Sequence, residues 1–273
     1  MIPHLLLIVE GVISDPDTYI DEPSRIGHLY ALYLLAQFRE TRLYPLLIKL
    51  LSLPADMIDA ILGDCVTEGV GRMLASVCTD DLLPIQQLIE NEENDEFVRG
   101  QGLHALVILV VHGKLDRKWT INYFRELLTE KISDKYPYFN AHIISSIADL
   151  HPKEAYEDIK CAYEKSAVDS MMINLDDINR IMNMSKDSVI DKSRNDHQFQ
   201  YIEDTISELE WWACFQQKKN LSPAKSVRNV LGSTNRKTNP AIKVEKIGRN
   251  DPCTMRQWSK VQEMLREVKS EYE

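Results

Sequence analysis

The stretch Asn94–Gly113, NDEFVRGQGLHALVILVVHG, is apolar on two faces of a predicted helix. One face has helical spacing and consists of Val98, Gly102, Ala105, Leu106, Leu109 and Val110. A second face consists of Leu103, Val107, Val110 and Val111. A helix that is apolar nearly all round must be covered on several sides, so we predict that it is the central helix of the fold. The small Gly100, Gly102 and Ala105 would let neighbouring helices approach closely.

The rest of the chain is predicted to form a series of helices that end at proline, glycine or polar turn residues. No segment shows the alternation of apolar and polar residues that is typical of a strand between two turns. A turn is predicted at Ser14–Asp17. The predicted helices, besides the central one, are 1–13, 24–40, 43–53, Ala55–Leu62, Asp64–Cys78, Leu82–Glu90, Trp119–Lys131, Pro137–Leu150, Pro152–Lys165, Asp176–Met182, Lys186–Arg194 and Tyr201–Phe215.

Similar short patterns recur along this series at separations of roughly 35–40 residues, which is the range of HEAT-like helix pairs. Examples are Gly27–Leu32, Gly102–Leu106 and Ala141–Ile144. We therefore predict an all-α fold, a HEAT-like α-solenoid of antiparallel helix pairs, over residues 1–215. An irregular helical bundle with accidental similarity is the alternative.

The charge of the chain is unevenly distributed. The formal net charge is -10, yet residues 218–250 hold nine Lys and Arg against one Glu. A strongly acidic body is a poor binder of nucleic acid, because phosphates must be neutralised by clustered cations. Residues 216–249 contain few large apolar residues and are predicted to be a flexible basic linker. Residues 250–273 are predicted to end in a short charged helix.

Cysteine usage and apolar runs both favour a cytoplasmic protein. The five cysteines are scattered without a Cys-x-x-Cys pair, which indicates reduced and mostly buried thiols. The apolar run Leu5–Val9 lacks the basic start and the cleavage site of a signal peptide. No apolar run reaches the length of about 18 residues that a membrane span needs.

The sequence contains no recognised catalytic or nucleotide-binding motif. Five histidines have two possible roles. They form a row that binds a metal or transfers protons, or they are side chains at contacts between helices, which is the interpretation that we favour. They are His28, His104, His112, His142 and His151. Cys78 or Cys161 beside one of them would form a nucleophile pair. An enzyme of unrecognised class with a Cys/His groove site is therefore an alternative, although a protein without enzymatic activity is favoured.

Five residues are candidates for contact with a protein partner. Trp211 and Trp212 are adjacent on a predicted helix and point about 100° apart, so one is expected to cap the core and the other to be available for binding. Glu208 belongs to an acidic group in front of them, and acidic groups there and at Glu90–Glu96 suit a cation or a basic peptide, or else are solvated loops. Arg99 and His104 on the central helix complete the set.

Several separated segments resemble a bacterial domain-of-unknown-function family, number 1186. The segments that carry the resemblance are His28–Glu40, Leu46–Leu53, Gly71–Cys78 and Glu210–Phe215. The resemblance covers about residues 5–215 and implies a HEAT-like helical fold without an assigned activity. Compared with that family, the chain is expected to begin late, which would fit a decaying family member.

A second resemblance lies at Ile247–Cys253, IGRNDPC, which is similar to the start of the SEC-C zinc module at the C-terminus of the SecA translocation ATPase. An intact module implies bound zinc and contact with ribosomes or secretion chaperones. Structural zinc needs four ligands, and only Cys253 of the ligand set is present. We therefore expect a degenerate module at residues 250–273 and no cofactor.

These observations favour a non-enzymatic scaffold or adaptor that binds an unknown protein partner along an extended helical face. A nucleic-acid or ribosome-associated protein that acts through its basic tail is a further alternative. An exported effector, with Glu263–Glu273 as a secretion signal, is an alternative to the cytoplasmic location.

Overall fold

The computed structural model describes residues 1–22, 24–131 and 136–212, and within these ranges every regular element is a helix. The predicted all-α class is therefore confirmed. The α-helices are α1 (Ile2–Ser14), α2 (Pro16–Asp21), α3 (Gly27–Gln37), α4 (Leu43–Leu50), α5 (Ala55–Leu62), α6 (Cys65–Glu68), α7 (Val70–Val77), α8 (Leu83–Glu90), α9 (Glu96–Val111), α10 (Arg117–Glu126), α11 (Pro137–Asp149), α12 (Tyr156–Glu164), α13 (Leu175–Met182), α14 (Lys186–Asn195) and α15 (Thr205–Leu209).

The chain divides into two compact units. Residues 1–205 form the first unit, and the second begins at Ile206. Of the second unit the structure describes residues 206–212, which continue α15 and end in a turn. The predicted basic linker and the degenerate zinc module lie outside the described residues. The 35–40 residue repeat stays a prediction.

The central helix is α9, as the apolar pattern predicts. Asp95 caps its start by accepting hydrogen bonds from the backbone amides of Phe97 at 2.9 Å and Val98 at 3.2 Å. Twelve of its sixteen residues are buried. It ends before Gly113, whose φ of 70° takes the chain out of the helix. Helices α6, α7, α8, α10, α11 and α14 pack against it.

Helices α3, α7, α9 and α11 pack in that order and form one row, which we call the inner row. Helices α4, α8 and α10 pack against it and against parts of one another from the outside. Close approach within this arrangement depends on glycine. A Cβ atom on Gly102 of α9 would lie 2.7 Å from Ile89 of α8, and one on Gly71 of α7 would lie 2.7 Å from Gln101 of α9. Only the absence of a side chain permits this packing.

The chain breaks at the predicted turn Ser14–Asp17: α1 ends at Ser14, Asp15 accepts a hydrogen bond from the Thr18 amide, and Pro16 begins α2. Two other local predictions are wrong. The single helix Asp64–Cys78 is broken at Gly69, where the Tyr33 hydroxyl would lie 2.5 Å from a Cβ atom. The helix predicted from Tyr201 begins only at Thr205, because Arg39 and Ser76 bind the main chain of Ile202 in a segment without regular secondary structure.

Gly102→Ala should reduce the free energy of unfolding by about 1–3 kcal/mol, since the added methyl group overlaps Ile89 in a filled core. Gly27→Ala is the matched control, because a Cβ there meets no atom within 4 Å. Urea denaturation followed by circular dichroism measures both changes. Equal stability of the two variants would show that the packing of α8 on α9 is not tight.

A candidate peptide groove occupied by an internal strap

Residues Asp196–Thr205 run back across the inner row, and we call this segment the strap. Arg194 anchors its start, because its Nε donates a 2.8 Å hydrogen bond to the carbonyl of Val111 at the end of α9. A short 3-10 turn, His197–Phe199, is capped by Asp196, which accepts from the Gln198 amide. The strap then extends over α9, α7 and α3, in the reverse of chain order. It occupies a groove on the face of these three helices.

Five successive strap carbonyls accept a hydrogen bond from groove side chains. The donors are His104 Nε2 to Gln198 O at 2.8 Å, His112 Nε2 to Phe199 O at 2.9 Å, Arg72 Nε to Gln200 O at 2.7 Å, Arg72 Nη2 to Tyr201 O at 3.1 Å and Arg39 Nη1 to Ile202 O at 2.7 Å. Hydrogen bonds from positively charged donors are stronger than those between neutral groups. The groove therefore binds the main chain of the strap, from the 3-10 turn at His197–Phe199 to Ile202.

Two strap amides are held in the same way. The Ile202 amide donates to Ser76 Oγ at 3.0 Å, and the Thr205 amide donates to Gln37 Oε1 at 2.9 Å. Ser76 in turn donates its hydroxyl hydrogen to the carbonyl of Arg72 at 2.7 Å, which fixes it as an acceptor towards the strap. At this end of the strap, groove side chains therefore bind both the amide groups and the carbonyl groups of the strap main chain.

Aromatic stacking adds side-chain contacts. The Phe199 ring lies 4.8 Å from the His104 ring, and the Tyr201 ring lies 4.6 Å from the His112 ring. The Arg39 guanidinium also stands over Tyr201, with its carbon 4.9 Å from the ring centre. Ile202 is the one strap residue among 198–204 that is fully buried. These three apolar side chains set the register of the strap on the groove.

Two features of the donors suit them to this task. Arg39 follows the end of α3 with a φ of 54°, a conformation that is costly for a residue with a side chain. The strain is offset where its guanidinium binds the Ile202 carbonyl and the Glu203 carboxylate. Burial lowers the pKa of His104, so its ring is neutral at pH 7 and donates from Nε2. Burial, together with the charge of His104, also lowers the pKa of His142, to about 4.

Four of the five histidines contact main-chain carbonyls. His28 contacts the carbonyls of Arg25 and Ile61, and His151 contacts that of Met184, in addition to the two strap contacts. Within the described ranges no group of three or more His, Cys, Asp or Glu side chains is placed to hold a metal ion. This agrees with the interpretation of most of these histidines as residues at packing contacts.

A cavity of about 470 Å³ lies beside the strap and contains Cys78 and Tyr201. Burial raises the pKa of the Cys78 thiol to about 11, and burial raises that of Cys65 to about 12. Both thiols are therefore protonated at neutral pH, which is the opposite of what a nucleophilic cysteine needs. The cavity offers space, but its cysteine is not activated.

The structure brings only one predicted partner-binding residue to the strap, namely His104. Arg99 is 1% exposed; its guanidinium lies 3.9 Å above the Phe139 ring and donates from Nε to the Ile89 carbonyl. Glu208, Trp211 and Trp212 belong to the second unit, where Trp211 is 57% exposed. Whether any of these five residues binds a partner stays a prediction.

The sequence reasoning missed Arg39, Arg72 and the strap itself. One signal was present: Arg72 stands in an otherwise apolar and small-residue segment, VGRMLASV, where a charge is unexpected unless it has buried partners. Arg39 occupies a position after α3 where glycine is common, which is a second irregularity.

Arg72→Met should lower the free energy of unfolding by about 2 kcal/mol, because two strap carbonyls lose a charged donor in a nearly buried place. It should also speed hydrogen exchange of the Ile202 amide. Arg180→Met is the control, since Arg180 is exposed and contacts Asp177 on its own helix. Unchanged exchange at Ile202 in Arg72→Met would contradict the importance of this contact.

Asp149→Asn should stabilise the protein, and the stabilisation should grow by about 1 kcal/mol or more between pH 5 and pH 8. Burial raises the pKa of Asp149 to about 7 from 3.8, and the nearby charge of Asp196 adds to this effect while that of Lys192 opposes it. Because the folded carboxyl keeps its proton to higher pH than the unfolded one, ionisation costs stability as the pH rises. Urea titrations at several pH values test this. A constant difference between variant and wild type would contradict it.

None of the helices in the described ranges is both long and apolar enough to cross a membrane. Two relatives, from Chlamydia trachomatis serovar D and Chlamydia muridarum, each carry the name "Uncharacterized protein". Each is 40% identical over 211 residues, which cover 77% of this chain and 83% or 84% of the relative. No solved structure matches the chain with significance. The profile of a family described as Protein of unknown function (DUF1186) matches residues 1–216, and the chain belongs to that family.

Proposed function

We propose that the protein is a non-enzymatic adaptor that binds an extended segment of a partner protein in the groove of α3, α7 and α9. The five successive carbonyls held by groove side chains carry this proposal. Recognition of an extended main chain is a recurring mode of peptide binding, in which backbone hydrogen bonds supply affinity and pockets for side chains supply specificity. Rows of stacked helices present extended faces that suit such a ligand.

The chemistry of the groove supports binding rather than catalysis. His104 and His112 are fixed on carbonyls, and the thiol of Cys78 has a raised pKa. A nucleophile and a base within hydrogen-bond reach of each other are the feature that an acyl-transfer enzyme needs. The described groove places its polar side chains on a polypeptide backbone instead.

The charge of the groove also favours protein over nucleic acid as the ligand. The guanidinium groups of Arg39 and Arg72 lie on carbonyl groups, and Arg39 also binds the carboxylate of Glu203. Phosphate recognition needs cations that line up along a surface and that face solvent. The alternative of a nucleic-acid contact through the basic tail concerns residues outside the described ranges and stays a prediction.

Affinity capture from the native cell lysate with mass spectrometry tests the proposal, with wild type, Arg72→Met and Arg180→Met as baits. Circular dichroism first establishes that all three are folded. An adaptor that uses the groove should capture the same partner with wild type and Arg180→Met and lose most of it with Arg72→Met. Equal capture of a partner by all three baits would show that the partner binds a surface other than the groove. The absence of any specific partner would contradict the adaptor function.

A further inference from the structure

We infer that the strap is an exchangeable occupant of the groove and that the partner segment shares its side-chain pattern, namely aromatic, any residue, aromatic, aliphatic, acidic. The inference rests on the proposed function and adds the ligand chemistry and its regulation. The strap supplies this pattern as Phe199, Gln200, Tyr201, Ile202 and Glu203. In the resting protein the groove is therefore closed by its own chain.

The contacts of each strap position define the pattern. Phe199 stacks on His104, and Tyr201 lies between His112 and the Arg39 guanidinium. Ile202 is fully buried, so its position requires an aliphatic side chain of similar size.

The remaining two positions differ in what they require. The carboxylate of Glu203 accepts a hydrogen bond from Arg39 at the end of the groove, which favours an acidic residue. The side chain of Gln200 turns back to the carbonyls of Arg194 and Asp196 within its own segment. Its position therefore contributes only its main chain to the groove and tolerates any residue.

The way the strap lies on the groove permits exchange. Gln198, Glu203 and Asp204 are exposed, and Phe199 and Tyr201 are only half-buried. The helices beneath pack on one another through their own contacts, such as those of Gly71 with Gln101 and His104. An incoming segment could thus replace the strap along an open face without separating the helices.

Covalent attachment determines how strongly the strap competes. A tethered segment acts at an effective concentration in the millimolar range, so a free peptide with the same contacts binds the wild-type chain weakly. The apparent affinity falls by the fraction of molecules in which the groove is open. A substitution in the strap that loosens it and leaves the groove donors intact should therefore raise the affinity for a partner segment, even though it removes contacts from the protein.

Fluorescence anisotropy with a labelled nine-residue peptide, DHQFQYIED, which corresponds to residues 196–204, tests the inference on the full chain. Ile202→Ser in the protein removes the fully buried aliphatic side chain of the strap. This variant should bind the peptide at least about tenfold more tightly than wild type. Adding Arg72→Met to it should remove most of that binding, because two carbonyl contacts are lost.

Matched peptides test the pattern. Replacing the residues that correspond to Phe199 and Tyr201 by alanine should weaken binding at least about tenfold, because both aromatic stacks are lost. Replacing the one that corresponds to Gln200 should change it little, since that side chain does not touch the groove. Equal loss from both replacements would overturn the proposed pattern.

Tyr201→Ser is the second protein variant, in case Ile202→Ser does not fold, and helical circular dichroism identifies the folded variants. If a folded strap variant does not bind the peptide, or binds it no more tightly than wild type, the strap is a fixed structural element and the inference is overturned. The adaptor function would still stand if lysate capture depends on Arg72. If capture fails while the peptide binds, the groove is exchangeable but the adaptor function is wrong.

Discussion

The hydrogen bonds between Arg72 and the strap link parts of the chain that are distant in sequence. Arg72 is 3% exposed on α7, and a buried guanidinium is stable only where acceptors surround it. Two of its acceptors, the carbonyls of Gln200 and Tyr201, lie 128 and 129 residues further along the chain. The strap supplies acceptors for this charge, and in return the carbonyls of Gln200 and Tyr201 obtain a charged donor from the inner row. The buried guanidinium therefore favours a groove that is occupied by a polypeptide main chain, whether that of the strap or that of another segment.

The helices could be predicted because their signals are local. The apolar pattern around α9 places its interior position, and the small residues Gly100 and Gly102 mark close neighbours, as the structure shows for His142 and Ile89. The start of α9 is equally local, because Asp95 stands where a capping residue is expected. Interruptions were less predictable: α6 ends at Gly69, where the Tyr33 hydroxyl of α3 leaves no room for a side chain.

The strap could not be predicted, because a carbonyl group that accepts a hydrogen bond leaves no trace in the sequence. The positions Ile202, Ile206 and Leu209 have the spacing of a helix face, which favoured a helix from Tyr201. In the structure Arg39, Ser76 and Gln37 bind the main chain of Ile202 and Thr205, and residues 202–204 are not helical. Long-range contacts thus override a weak local preference. The histidines were found by sequence, but their partners were not, for the same reason.

A groove that binds the main chain accepts many sequences and is therefore poorly selective. The strap restores selectivity, because a partner segment must displace it. An open row of donors such as Arg72, His104 and His112 would bind many extended chains, because every polypeptide offers the same carbonyls. While the strap occupies these donors, a competing segment must match the stacking positions and the Ile202 position as well as the backbone. The selectivity for a partner segment then comes from its competition with the strap, because the donors alone do not distinguish one main chain from another. The strap can serve this purpose only if its own hold is moderate, which agrees with its largely open outer face and with Ile202 as the one fully buried side chain among residues 198–204.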